Sequence, residues 1–218
     1  MIVEKNDDMK RLIGFLMVAV LFVGCGKGEM GVDMTREVVM EVSGEWVELE
    51  LRGVGERSGN RIEGDVWESM GVGGELDGYA MVVIGEQVEY VPLNGELQRV
   101  GFEMGSECVI SVFGSVTELV CRNSGLVGIV VRGNDILHRL DVSENEGMST
   151  EAYDRLYCSL PDRVGLRSGE LLALSAWGED DEHVNDVVES NGNNARMRNW
   201  KVLEGWTEVE TRGVKRCE

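Results

Sequence analysis

Along most of this chain apolar and charged residues alternate one by one, which is the period of half-buried β-strands. In residues 36–51, Val38, Met40 and Val42 alternate with Glu37 and Glu41, Ser43-Gly44 offers a turn, and Val47, Leu49 and Leu51 alternate with Glu48 and Glu50. A hairpin with that two-residue loop places Met40 opposite Val47 and Val38 opposite Leu49. A second hairpin is expected over residues 79–92, turning at Gly85-Glu86, with Met81 against Tyr90 and Val83 against Val88. A third is expected over residues 107–122, where Gly114 ahead of Ser115 suits a type II′ turn. In that register Phe113 faces Val116, Ile110 faces Leu119 and Cys108 faces Cys121.

Further strand signals fall at residues 61–68 (with Trp67), 125–133, 136–142, 170–177, 200–203 and 206–211. The period changes only twice. Tyr153, Leu156, Tyr157 and Leu160 recur at helical spacing, behind a capping Ser149 or Thr150 and ahead of the breaker Pro161. Residues 178–190 form a second candidate helix, with Val184, Val187 and Val188 on one side, an acidic first turn that suits the helix dipole, and Asn191-Gly192-Asn193-Asn194 as its end. The expected class is mainly β, antiparallel hairpins stacked as a β-sandwich, with one or two short helices in the C-terminal third.

Residues 12–23 break the alternation with a purely apolar run behind Lys10 and Arg11, closed by Gly24 and Cys25. A positive start, an apolar core and a small residue at the processing point form the layout of an export signal. The run is too short for a membrane span, which needs about 20 apolar residues. Met9-Lys10-Arg11 is itself a normal beginning for such a signal, so Met9 is read as the true start. Phe22-Val23-Gly24-Cys25 resembles the lipobox of bacterial lipoproteins, although Phe22 stands where that family prefers Leu. The resemblance implies cleavage before Cys25 and a covalent lipid on its sulfur, and two or more acyl chains anchor stably to a membrane. It divides the chain into a signal peptide (1–24), a lipidated tether (25–35) and a single β-rich domain (36–218) with a possible α+β subregion at 149–218. In the second hairpin, Asp77-Gly78-Tyr79, Val83 and Gly85-Glu86-Gln87-Val88 are similar to a strand pair of bacterial pre-peptidase C-terminal domains, which are secreted β-sandwiches.

Charge narrows the partners. The formal charge is −19. Glu4, Asp7 and Asp8 cancel Lys5, Lys10 and Arg11, so all of it belongs to the remainder after processing. Such a surface repels phosphate backbones and excludes nucleic acid as a partner, while favouring cationic ones. The 29 glycines share guanine-rich codons with the other enriched residue types, so they are read as hairpin punctuation and not as phosphate loops.

With Cys25 taken by lipid, Cys108, Cys121, Cys158 and Cys217 remain, and four cysteines allow three pairings. In the third hairpin Cys108 and Cys121 fall on a non-hydrogen-bonded pair, whose Cα atoms lie about 4.5 Å apart, within the disulfide range of about 4.4–6.8 Å. That bond is expected in an oxidising envelope, and it leaves Cys158 to pair with Cys217.

No catalytic signature accompanies these features. The two histidines, His138 and His183, lack a serine-hydrolase elbow, and His138 is read as a core or rim residue of its strand. Asp180, Glu182, His183 and Asp186 could offer oxygen and nitrogen ligands to a divalent cation on the second helix, but their spacing is not that of a calcium loop. They are weak metal candidates, and a solvated acidic helix end is the preferred reading. Trp46, Trp67, Trp177, Trp200 and Trp206 could line a sugar or peptide groove, with core and rim positions preferred. The sequence thus points to a lipid-anchored cell-envelope protein facing the periplasm or cell surface, non-enzymatic, with an envelope protein or cell-wall partner and no cofactor beyond the lipid. The alternative is a periplasmic metal-dependent hydrolase or ion-binding protein built on the acidic helix.

Overall fold

The computed structural model describes residues 32–53, 78–104, 108–175 and 184–217. Cys25 and its signal, the expected strand at 61–68, Trp67, Trp177, Asp180, Glu182 and His183 lie outside the described residues.

Two sheets pack face to face. Sheet A has the order β4-β3-β6-β1-β8, built from β1 (Glu37–Val42), β3 (Tyr79–Ile84), β4 (Gln87–Pro92), β6 (Cys108–Phe113) and β8 (Leu126–Arg132). Sheet B has the order β12-β11-β10-β9-β7-β2-β5, built from β2 (Trp46–Gly53), β5 (Gln98–Glu103), β7 (Val116–Val120), β9 (Arg139–Asp141), β10 (Gly169–Leu174), β11 (Trp200–Glu204) and β12 (Thr207–Glu208). The alternation does what it promised. Val38, Met40, Ile110 and Val112 of sheet A, with Val47, Leu49, Leu51 and Leu119 of sheet B, form a common buried core.

The second hairpin has the expected register, with Met81 opposite Tyr90 and Val83 opposite Val88. The first and third do not form as hairpins. β1 pairs with β6 and β8, whereas β2 pairs with β5 and β7, so the chain crosses from one sheet to the other at residues 43–45. Local bonds hold that crossing: Ser43 N–H donates to Gly125 O (2.7 Å) and Glu45 O accepts from Met104 N–H (2.7 Å). Gly114 makes a second crossing instead of a II′ turn. Its φ is +118°, its N–H donates to Arg36 O (3.1 Å), and an added Cβ would lie 2.9 Å from Tyr79 O. Met40 therefore does not pair with Val47, nor Cys108 with Cys121. Alternation sets which face is buried, but a strand and its successor in the opposite sheet satisfy the same pattern as a hairpin does.

Sheet B extends past sheet A through parallel pairs, β7 with β9, β9 with β10 and β10 with β11. The crossovers carry α1 (Thr150–Ser159) and then α2 (Val184–Glu189) and α3 (Asn193–Met197). Parallel neighbours need such long connections, which is why helices appear only here. α1 begins as its sequence suggests: the Ser149 hydroxyl accepts from Ala152 N–H (3.3 Å). It packs along β8, whose Val131 N–H donates to Ser159 Oγ (3.0 Å), so the helix covers the edge of sheet A. Tyr153, Leu156, Tyr157 and Leu160 are buried in the shared core. The second helix is described from Val184 onward, with Val187 buried and Val184 exposed. Asn191-Gly192-Asn193-Asn194 does not simply end it, because Asn193 opens α3.

One side chain ties the junction together. Asn145 is buried after β9, and its Oδ1 accepts from Ser124 N–H (2.9 Å) and Leu126 N–H (3.0 Å). Its Nδ2 lies within bonding distance of Cys121 O (2.8 Å), Val142 O (2.9 Å) and Ser143 O (3.1 Å). It thereby joins the ends of β7 and β9 to the start of β8.

Candidate functional site

Cys158 and Cys217 are disulfide-bonded, with Cα atoms 5.4 Å apart and a sequence separation of 59. The bond fastens the chain's C-terminal segment to α1. That segment is also held by Arg212 N–H to Val188 O (2.6 Å), Gly213 N–H to Ser190 O (3.1 Å) and Asn194 Nδ2 to Lys215 O (2.8 Å). Cys108 and Cys121 are free thiols, contrary to the expected bond, because they belong to β6 of one sheet and the end of β7 in the other. Each sits against a methionine sulfur instead, Cys108 on Met104 (3.4 Å) and Cys121 on Met40 (3.5 Å). Burial pushes both thiols up from their ordinary pKa, and for Cys121 the Asp141 charge adds to the effect. Neither is poised as a nucleophile.

Asp186 serves the fold. Its Oδ1 accepts from Thr150 N–H (2.9 Å) and from Thr150 Oγ1 (2.8 Å), completing the N-terminal cap of α1. Of the four acidic-helix candidates, it alone is described. Among the described residues no cluster of His, Cys, Asp and Glu has the geometry to hold a metal ion. His138 is exposed at the entry to β9, while Ile136, Leu137, Leu140 and Val142 are buried, so it is a rim residue.

The outer face of sheet B is a self-neutralising ladder. Glu118 lies between Arg52 (3.1 Å) and Arg139 (3.1 Å), Arg139 reaches Glu170 (3.3 Å), and Arg99 is paired with both Glu48 and Glu50. Three arginines thus offset four carboxylates there, leaving one charge in excess within the ladder.

The tryptophans divide. Trp200 is buried, its indole N–H donating to Pro161 O (2.8 Å), whereas Trp46 and Trp206 are 57% and 86% exposed. Trp46 lies over Gly101 of the neighbouring strand, so closely that a side chain at 101 would collide with the indole. Beside it opens a cleft of about 430 Å³ lined by Gln87, Val88 and Glu89 of β4 and by Gly101, Phe102, Glu103 and Met104 at the end of β5. These are the terminal strands of sheets A and B. Among the described residues neither Glu89 nor Glu103 has an ion-pair partner. The cleft went unseen in the sequence, yet two signals mark it. Trp46 is in phase with Glu48 and Glu50, hence on the outward face, and Gly101 interrupts a strand where only close approach of another group explains a glycine.

No protein-family model, curated protein or solved structure matches this chain. Fold and site together define a two-sheet β-sandwich with a helical closure and an acidic edge cleft.

Proposed function

We propose that the protein is a lipid-anchored cell-envelope protein whose β-sandwich is a non-enzymatic binding or structural module. The observation that carries this reading is the Cys158–Cys217 bond, which ties the last residues to α1. Such bonds persist in oxidising compartments outside the cytoplasm, and the sequence layout at Lys10, Arg11 and residues 12–25 supports delivery there. The edge cleft, with the exposed Trp46 indole packed over its lining residue Gly101, supports a binding role. Nucleic acid is excluded by charge.

The test is fractionation of cells expressing the wild type and Cys25→Ser. The wild type is expected in the membrane fraction, and the variant as an unprocessed precursor or free of lipid. An unchanged distribution that is soluble in both would sink the envelope reading.

A further inference from the structure

Among the described residues the two walls of the cleft are terminal strands of their sheets, and the polarity of each edge follows from its register. In β3 and β4, Leu93 N–H donates to Gly78 O (2.9 Å). Combined with the register Ala80–Val91, Val82–Glu89 and Ile84–Gln87, this turns the backbone groups of residues 87, 89 and 91 toward β3. Those of Val88 and Tyr90 therefore face away from the sheet, and Pro92 ends the row with no N–H to offer. In β5, the Met104 N–H to Glu45 O bond continues the register Phe102–Val47 and Val100–Leu49, which directs the backbone of residues 98, 100 and 102 toward β2. The N–H and C=O groups of Arg99, Gly101 and Glu103 are left on the outer edge. Among the described residues no strand pairs with either edge.

We infer that this cleft takes an extended, arginine- or lysine-bearing segment of a partner protein, added as a strand on β5 at Gly101 and Glu103. Unpaired edges are templates for strand addition, in which backbone bonds give affinity and alternate side chains give selectivity. At Gly101 the Trp46 indole occupies the space a side chain would take, so an added strand meets bare backbone edge there. Glu103 on one wall and Glu89 on the other place carboxylates on both sides of the incoming chain, and no described cation neutralises them. A guanidinium there gains charge-assisted hydrogen bonds, and the exposed face of Trp46 offers a stacking surface for it. The mixed ladder on the rest of sheet B gives a cationic segment no comparable excess of negative charge. This inference rests on the binding-module reading and supplies its partner class.

The test uses the full chain in detergent at physiological salt, where screening reaches about 8 Å and damps the overall charge. An eight-residue peptide alternating arginine and valine is titrated calorimetrically, beside the same peptide N-methylated at alternate residues and an alternating glutamate and valine peptide. Binding of the first is expected, with at least about tenfold loss on N-methylation, since that removes backbone donors without changing charge. A comparable loss is expected for Glu89→Gln with Glu103→Gln, and none for Glu151→Gln with Glu204→Gln, which removes the same charge elsewhere. Equal affinity for the N-methylated peptide, equal affinity of the two double variants, or no binding by the arginine peptide would each overturn the inference. Lipidation of Cys25 is measured by mass on the same sample. Capture by an unlipidated protein would leave the cleft standing and remove the envelope reading, and lipidated protein without capture would do the reverse.

Discussion

Replacing Asn145 with alanine probes the junction on which both halves of sheet B depend. The amide serves two backbone N–H groups, at Ser124 and Leu126, and reaches three carbonyls, at Cys121, Val142 and Ser143. Asn145 is 2% exposed, so water does not replace it without local opening. A buried donor left without a partner costs about 1–3 kcal/mol. The carbonyl losses are softer, since Ser143 O keeps the Asn123 N–H at 3.1 Å. The sum is about 3–5 kcal/mol, at the severe end for a single substitution. For a domain of this size that corresponds to a melting shift of about 6–20 °C. Urea unfolding of the wild type, Asn145→Ala and Asn145→Asp would measure it. The aspartate keeps the two acceptor contacts but turns an oxygen toward three carbonyl oxygens, so it should be at least as unstable at neutral pH. It should recover partly on acidification, when protonation restores one donor. A loss below about 1 kcal/mol for the alanine variant, with an unchanged denaturant slope, would mean that Asn145 does not hold this junction.

Reducing Cys158–Cys217, or replacing both cysteines by serine, reopens a loop of 59 residues and should cost up to about 4 kcal/mol by the chain-entropy relation; hydrogen exchange should quicken first in residues 211–217, and a melting point insensitive to reductant would contradict this. Maleimide should leave Cys121 unmodified in the native protein and label Cys108 slowly, because the first is fully buried and the second half-buried; rapid labelling of Cys121 without unfolding would mean the core is not packed as described. The Arg122 hydrogen bond holds the Glu144 carboxyl below its ordinary pKa, so its stabilisation is present above the unfolded carboxylate range and is lost as pH falls through the folded value. With the Glu144 side chain 35% exposed, Glu144→Gln should cost under about 1 kcal/mol at pH 7 and nothing at strongly acidic pH, read from melting curves across that range.

Alternation encodes which face of a strand is buried and leaves its neighbour in the sheet open. Residues 79–92 fold with the register their pattern implies, because Gly85, at φ +56°, closes a true two-residue turn between strands of one sheet. Residues 36–53 and 108–120 carry the same kind of pattern and do something else. The inward residues of 36–53 are the expected ones, but Ser43, Glu45 and Gly114 are bonded to distant backbone at Gly125, Met104 and Arg36, which carries the chain across the core. Partners so far apart in sequence leave no local trace. The Cys158–Cys217 bond was reached in the sequence by elimination, from a Cys108–Cys121 pairing that the sheet order removes, and it stands on the docking of the C-terminal segment against α2 and α3 instead. α1 was legible from its cap, spacing and Pro161 alone, whereas the parallel pairing of β9, β10 and β11 that positions it was not, since β9 is only three residues long. The edge cleft belongs to the same category: Gly101 and Trp46 mark it, but only the sheet order shows that two free edges meet there.

We propose that this chain works outside the cytoplasm, anchored by lipid at Cys25, with the Cys158–Cys217 bond as its staple. Intact mass and peptide mapping of the native protein under non-reducing conditions test it directly. The expected result is an amino terminus at Cys25 carrying a diacylglyceryl group, a Cys158–Cys217 linkage, and free thiols at Cys108 and Cys121. An unprocessed chain retaining residues 9–24, recovered from the soluble fraction with Cys158 and Cys217 reduced, would contradict it.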